Sequence, residues 1–298
     1  MAVLLFVEAL SYISLCCKYK DDIIPFLKIT TGKDVKIPYI PYTKVKKPSR
    51  DILLSDLQPV EYRDRSKKPI ILFGCSYTEG FGLKENETFS AKLADYTNRT
   101  VYNRGKSGTG LPFIYYQLND KQVLNELPKN PEYIIYTFIP DHIPRLTKFR
   151  SWVMCGDLLL RYKISNGKLV VDEPRFPFLH TFFTSIVIDE YIETHKRQED
   201  VYKLLEEIWK QSVEIMQKEF KNTKIVIVYY ECPFDIPNFY HEEIDKMKNA
   251  SPNIIFFDVK KEIPDIKERK YWLEDNFHPS ALAWDTIVPK LADKLGLK

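Results

Sequence analysis

Five short apolar runs, each separated from the next by chain that suits helix or loop, constrain this sequence more than any other feature. They are 69–75 (PIILFGC), 101–103, 133–139 (YIIYTFI), 224–230 (KIVIVYY) and 254–258. A continuous apolar run, rather than an alternating one, is what a strand buried on both faces requires. The intervening stretches carry helical signals. ENET at 85–88 offers cap residues ahead of FSAKLADYTN, with its apolar i, i+3/i+4 stripe. Residues 111–127 are broadly helical, and 199–220 form a long amphipathic helix. A closing helix at 281–295 sets Trp284, Ile287, Val288, Leu291 and Leu295 along one face. Strands joined through helices imply crossovers, and hence an α/β fold with a mostly parallel five-stranded sheet covered on both sides.

That pattern begins only near residue 68. Residues 1–18 are mainly apolar (AVLLFVEALSYISLCC over 2–17), followed by Lys18 and Lys20. Sixteen such residues fall short of the ~20 that span a bilayer. Two readings compete here, a buried amphipathic helix and the remnant of an N-terminal signal anchor. The anchor is favoured slightly, because the next stretch does not resemble a core partner. It would associate residues 2–17 with a membrane and place the protein at the cell envelope rather than in the cytoplasm. Residues 19–67, with prolines at 38, 41, 48 and 59, are expected to form an extended arm. The main domain spans 68–298, interrupted by a long insertion at about 145–200. That insertion holds a hairpin signal at Ser165–Lys168 (SNGK) and an aromatic run over 176–183. Connections this long inside a compact domain usually serve function, here as a lid or substrate wall.

Composition narrows the classes further. Lys and Arg number 44 against 41 Asp and Glu, a net charge of 44 − 41 = +3 with no basic stripe, so nucleic acid is not an expected partner. The five cysteines include no CxxC pair, and His142, Cys232 and His278 lack ligand-like spacing, so neither a metal nor any other cofactor is expected. The chain leaves the oligomeric state open.

Glycine is scarce, only 10 residues, yet six of them fall between 74 and 110. Tight turns and close backbone approach are therefore concentrated there. Within that window Gly74-Cys75-Ser76-Tyr77-Thr78-Glu79-Gly80 puts a serine directly after the first strand, where parallel sheets present their ligand-binding ends. Taken alone, the motif fits a serine capping a following turn better than a nucleophile. Asn103-Arg-Gly-Lys-Ser-Gly108-Thr-Gly110 follows the second strand; its spacing matches no phosphate loop, and its glycines expose backbone N–H groups suited either to an oxyanion or to a plain turn. Near the end, Asp275-Asn-Phe-His278-Pro-Ser280 leads into the last helix. An Asp three residues before a His can hold one imidazole nitrogen and leave the other free to act as base towards a hydroxyl.

These three segments, in this order, resemble the blocks of the SGNH (GDSL-type) hydrolase family over roughly 68–298, apart from the insertion. The resemblance implies a three-layer α/β/α sandwich of flavodoxin-like type. It also implies Ser76 as nucleophile, His278 as base, Asp275 as its orienting carboxylate, and N–H groups of Ser76 and Gly108 as the oxyanion hole. Two positions depart from the pattern. Cys75 stands where the family usually has Asp, and a Cys75 nucleophile is the lesser alternative to Ser76. The third block lacks its usual Asn. After the third strand the chain reads Pro140-Asp141-His142-Ile-Pro144-Arg145, so either His142 or Arg145 replaces that donor or the enzyme is slow or specialised. An ionised Asp141 accepts only and would repel an oxyanion. His142 reads equally well as a structural histidine paired with Asp141.

The resulting expectation is a serine esterase or deacylase acting on a small-molecule or glycan ester. Carbohydrate deacetylation is the substrate class implied by the resemblance, and Trp152, Tyr162, Phe176, Phe178, Phe182 and Phe183 of the insertion are candidates to stack on sugar rings. Acyl transfer to a polysaccharide by the same residues is one alternative. A non-catalytic glycan-binding envelope protein is the other.

Overall fold

Within each central strand, consecutive residues belong to opposite cores. The computed structural model describes residues 61–146, 162–172, 198–231, 239–249 and 251–297. In β1 (Ile70–Gly74), Ile70 and Leu72 face one cluster with Phe89, Leu93, Trp284 and Leu291. Ile71 and Phe73 face the other, with Leu111, Ile114, Leu205 and Trp209. The same alternation in β3 (Tyr133–Phe138) and β6 (Lys224–Tyr229) explains why these strands read as unbroken apolar runs.

With β2 (Val101–Gly105) and β7 (Ile254–Asp258), the sheet has the order β2-β1-β3-β6-β7, and every pairing is parallel. This is the flavodoxin-like doubly wound order, whose ligand crevice lies outside the carboxyl ends of the strands where the order reverses. One face is covered by α2 (Phe89–Thr97) and α7 (Ala281–Leu295), joined by stacking of Phe89 on Trp284 at 4.5 Å. The other carries α3 (Leu111–Asn119) and α5 (Gln198–Glu219). Trp284 is fully buried, and truncating such a residue typically costs ~3–5 kcal/mol. The α/β/α sandwich expected from the sequence is therefore present.

Several details differ from expectation. The second strand runs on to Gly105, because Arg104 and Gly105 keep pairing with Phe73 and Gly74. The helical stretch 111–127 is two helices, α3 and α4 (Lys121–Glu126). Asp120 divides them: its carboxylate accepts from the N–H groups of Gln122 and Val123 and so caps the second helix. An unanticipated helix, α6 (Phe239–Asn249), precedes β7.

Of the insertion, β4 (Tyr162–Ser165) and β5 (Lys168–Val171) form the expected hairpin. Its turn residues Asn166 and Gly167 have φ of 51° and 72°, the two positive values a type I′ turn needs. Tyr162 is only 7% exposed and packs edge-on against Tyr115, so it is a core residue rather than a sugar platform. The other five candidate aromatics lie outside the described residues. So do the apolar segment 1–18 and the arm up to residue 60. Residues 61–67 lie along the domain: Glu61 makes an antiparallel bridge to Val101, and Arg63 pairs with Asp95. Among the described residues no helix is long and apolar enough to cross a membrane.

Candidate active site

The chain turns sharply at the carboxyl end of β1. Cys75 leads into α1 (Ser76–Glu79), a single turn closed when Gly80 takes a left-handed conformation and donates its N–H to the Ser76 carbonyl at 3.0 Å. Ser76 thus opens the helix directly above the sheet and is 4% exposed. The end of β2 presses closely on this turn. A Cβ on Gly105 would lie 2.5 Å from the Glu79 nitrogen, so no other residue fits without displacing backbone. Asn103 ties the two together, its amide donating to the Thr78 carbonyl at 2.8 Å while its own oxygen accepts from the Gly105 N–H at 2.9 Å. Gly108 sits in the next turn with φ 74°, a conformation that favours glycine.

The closing loop reaches the same point from the far end of the chain. Trp272 and Pro279 form a bridge that pinches residues 273–278 into a tight loop, with Leu273 N–H donating to the His278 carbonyl at 2.8 Å. Inside it, Oδ1 of Asp275 accepts from the backbone N–H groups of Phe277 (2.9 Å) and His278 (3.0 Å). Oδ2 lies 2.5 Å from His278 Nδ1. Burial pushes the Asp275 carboxyl up, but the bonds from His278 and Phe277 outweigh it and hold the group below its ordinary value. An ionised Asp275 only accepts, so the imidazole proton sits on Nδ1 and Nε2 carries the lone pair. That Nε2 is 2.9 Å from Ser76 Oγ, across a separation of 202 residues.

Two neighbours fix the imidazole. The Tyr77 hydroxyl donates to the Phe277 carbonyl at 2.5 Å, fastening the histidine loop to the serine helix. The Phe81 ring lies 4.6 Å from that of His278. Phe81 also lines a cavity of about 650 Å³ that Glu61, Glu79, Glu85 and Ser107 share. Tyr77, Glu79, Phe81 and Asn103 were all present in or beside the sequence motifs, but nothing in their spacing assigned them these roles.

The third block behaves differently. Asp141 pairs with Arg145, whose Nε and Nη2 lie 2.8 and 2.5 Å from Oδ2, and Arg145 Nη1 donates to the Thr109 carbonyl at 2.6 Å. Arg145 therefore braces the turn that carries Gly108. The expected pairing of His142 with Asp141 does not occur. His142 is wholly buried, its Nδ1 is 2.7 Å from the Tyr136 hydroxyl and the two rings stack. Burial, reinforced by the Arg145 charge, pushes its pKa well below the ordinary value, so the ring is neutral. The thiol of Cys75 is also fully buried and pushed up by desolvation, which disfavours a thiolate there. Among the described residues no group of three or more His, Cys, Asp or Glu could hold a metal ion.

No family model and no curated protein matches this sequence. Solved structures with a related course include an acetyl xylan esterase (Est2A) from the rumen bacterium Butyrivibrio proteoclasticus, 12% identical, covering 78% of this chain and 65% of that one at a TM-score of 0.45. A putative lipolytic protein of the G-D-S-L family from Desulfitobacterium hafniense DCB-2 is 13% identical, covering 77% and 99% at 0.46. The salicylyl-acyltransferase SsfX3 from a tetracycline biosynthetic pathway is 15% identical, covering 78% and 55% at 0.47. By its own strand order, and by the meeting of its first, second and closing blocks at one rim of the sheet, the chain has the sandwich that the SGNH resemblance implies.

Proposed function

We propose that this chain is a serine hydrolase of the SGNH type that cleaves carboxylic esters through an acyl-enzyme. The observation that carries the reading is the unbroken hydrogen-bonded line from Asp275 through His278 to Ser76. In the first half-reaction Ser76 Oγ attacks the ester carbonyl as its proton passes to His278 Nε2. Asp275 stabilises the imidazolium so formed. The N–H groups of Ser76 and Gly108 hold the negative oxygen of the tetrahedral intermediate. That intermediate collapses, the alcohol leaves with the proton from His278, and the acyl group stays on Ser76. Water then adds to the acyl carbonyl with His278 again as base, releasing the acid and restoring the hydroxyl.

O-acetylated carbohydrate is the substrate class we assign. The family resemblance supports it, and so does the adjoining cavity, whose Glu61 and Glu85 carboxylates suit a ligand rich in hydroxyl donors.

The test compares wild type and Ser76→Ala on an aryl acetate and on acetylated xylan. We expect the variant to lose activity by about 10³-fold or more. Equal rates would remove the serine mechanism, and glycan binding without turnover would identify a non-catalytic protein. Acetate released to water, rather than passed to an added glycan, distinguishes the hydrolase from a transferase.

A further inference from the structure

The carboxylate of Glu79, three residues after Ser76, is committed to the neighbouring turn rather than to solvent. Its Oε2 accepts from the Ser107 backbone N–H at 2.6 Å and from the Ser107 hydroxyl. Its Oε1 lies 3.7 Å from the Lys106 ammonium, and the side chain is only 14% exposed. The two residues that immediately precede Gly108 are thus held by the helix that begins with Ser76. The same turn is held at its start by Lys106 N–H donating to the Gly74 carbonyl at 3.1 Å, and at its end by Arg145 on Thr109.

We propose that Glu79 is a positioning residue for the oxyanion hole, setting the Gly108 N–H against the carbonyl that Ser76 attacks. This rests on the serine-hydrolase reading. An oxyanion donor works only if it stands ~2.7–3.1 Å from where the charge will develop, and a turn built around a left-handed glycine does not hold that place by itself. A carboxylate suits the task because it accepts only: one oxygen takes two donors from Ser107 while the other faces a cation. Left bare, a negative charge so close to an oxyanion would oppose catalysis. Lys106 and the two Ser107 donors offset it.

The experiment uses the full chain and the variants Glu79→Ala, Glu79→Gln and Ser107→Ala. It measures aryl acetate turnover, the rate at which a fluorophosphonate labels Ser76, and thermal unfolding. Misplacing a reacting group by ~1 Å can cost about 10²-fold, so Glu79→Ala should lower kcat by about 30- to 100-fold. KM should stay within about two-fold and the pH profile should not move. Labelling should slow in parallel, since phosphonylation also needs the oxyanion site. Glu79→Gln keeps an acceptor for the Ser107 N–H and should recover most of the rate. Ser107→Ala removes the hydroxyl alone and should lose less than Glu79→Ala.

A folded Glu79→Ala with kcat within about two-fold of wild type overturns the proposal. So does a change confined to KM, which would make Glu79 a substrate contact. If Glu79→Ala does not fold, Ser107→Ala decides, and a wild-type rate in that variant overturns the proposal. A wild-type chain that is never labelled at Ser76 refutes the hydrolase reading and the positioning role with it. A labelled wild type beside indifferent variants refutes the positioning role alone.

Discussion

His278 and His142 both stand at the carboxyl rim of the sheet, and each has Nδ1 held by a protein oxygen: Asp275 at 2.5 Å for one, Tyr136 at 2.7 Å for the other. What differs is whether the ring can take up a proton. Beside His278 a carboxylate, held below its ordinary pKa mainly by N–H donors from its own loop, compensates an imidazolium. His142 faces a neutral phenol in a fully buried site with the Arg145 guanidinium nearby, so a second positive charge there is opposed twice. Their remaining nitrogens part accordingly: His278 Nε2 meets Ser76 Oγ, whereas His142 Nε2 is buried with no hydrogen-bond partner. A rim histidine is equipped to act as a base only where its charge is balanced and a proton donor is within reach.

The largest effect that would break this contrast concerns turnover. His278→Ala should lower aryl acetate kcat by about 10³- to 10⁴-fold. A folded His142→Phe should stay within about five-fold of wild type. Comparable losses in both would erase the distinction.

Stability sharpens it next. His142→Phe leaves the buried Tyr136 hydroxyl without its hydrogen-bond partner, which should cost about 1–3 kcal/mol in urea unfolding. Adding Tyr136→Phe should return part of that loss, and a His142→Phe chain as stable as wild type would show the bond to be idle.

The smallest effect is the pH dependence that Asp275 contributes. Its folded pKa is depressed, so its stabilising share is present above its unfolded value of ~3.9 and is lost as pH falls through the folded one. The stability gap between wild type and Asp275→Asn should therefore be full near pH 6 and narrow at the acid end. A gap that widens on acidification would reverse the assignment.

Local features were legible wherever a residue's partner lies within a turn or two of the chain. The cap signal at 85–88 resolves to Thr88, whose hydroxyl accepts from Ala91 three residues on. Ser165–Lys168 was recognised as a hairpin because Asn-Gly tolerates positive φ at both turn positions. Asp275 and His278 were paired by spacing, and they pair in space. The break at Asp120 was hidden because apolar residues continue on both sides of it, so periodicity alone reads as one helix. The reading of His142 as a partner of Asp141 fails for a related reason. Adjacent Asp141 was the local choice, but Arg145 takes that carboxylate, and the fold turns the imidazole back onto Tyr136 in β3. Glu79 and Ser107 lie 28 residues apart on different blocks, and no local pattern joins them.

By itself, then, the chain determined its strands, most of its helices and the short Asp275–His278 unit, because periodicity, caps and turn residues act over a few residues. Only the tertiary structure decided how closely His278 and Ser76 meet and which carboxylate braces the glycine turn. Those contacts join residues as far as 202 positions apart, and the packing of strands and crossover helices sets them.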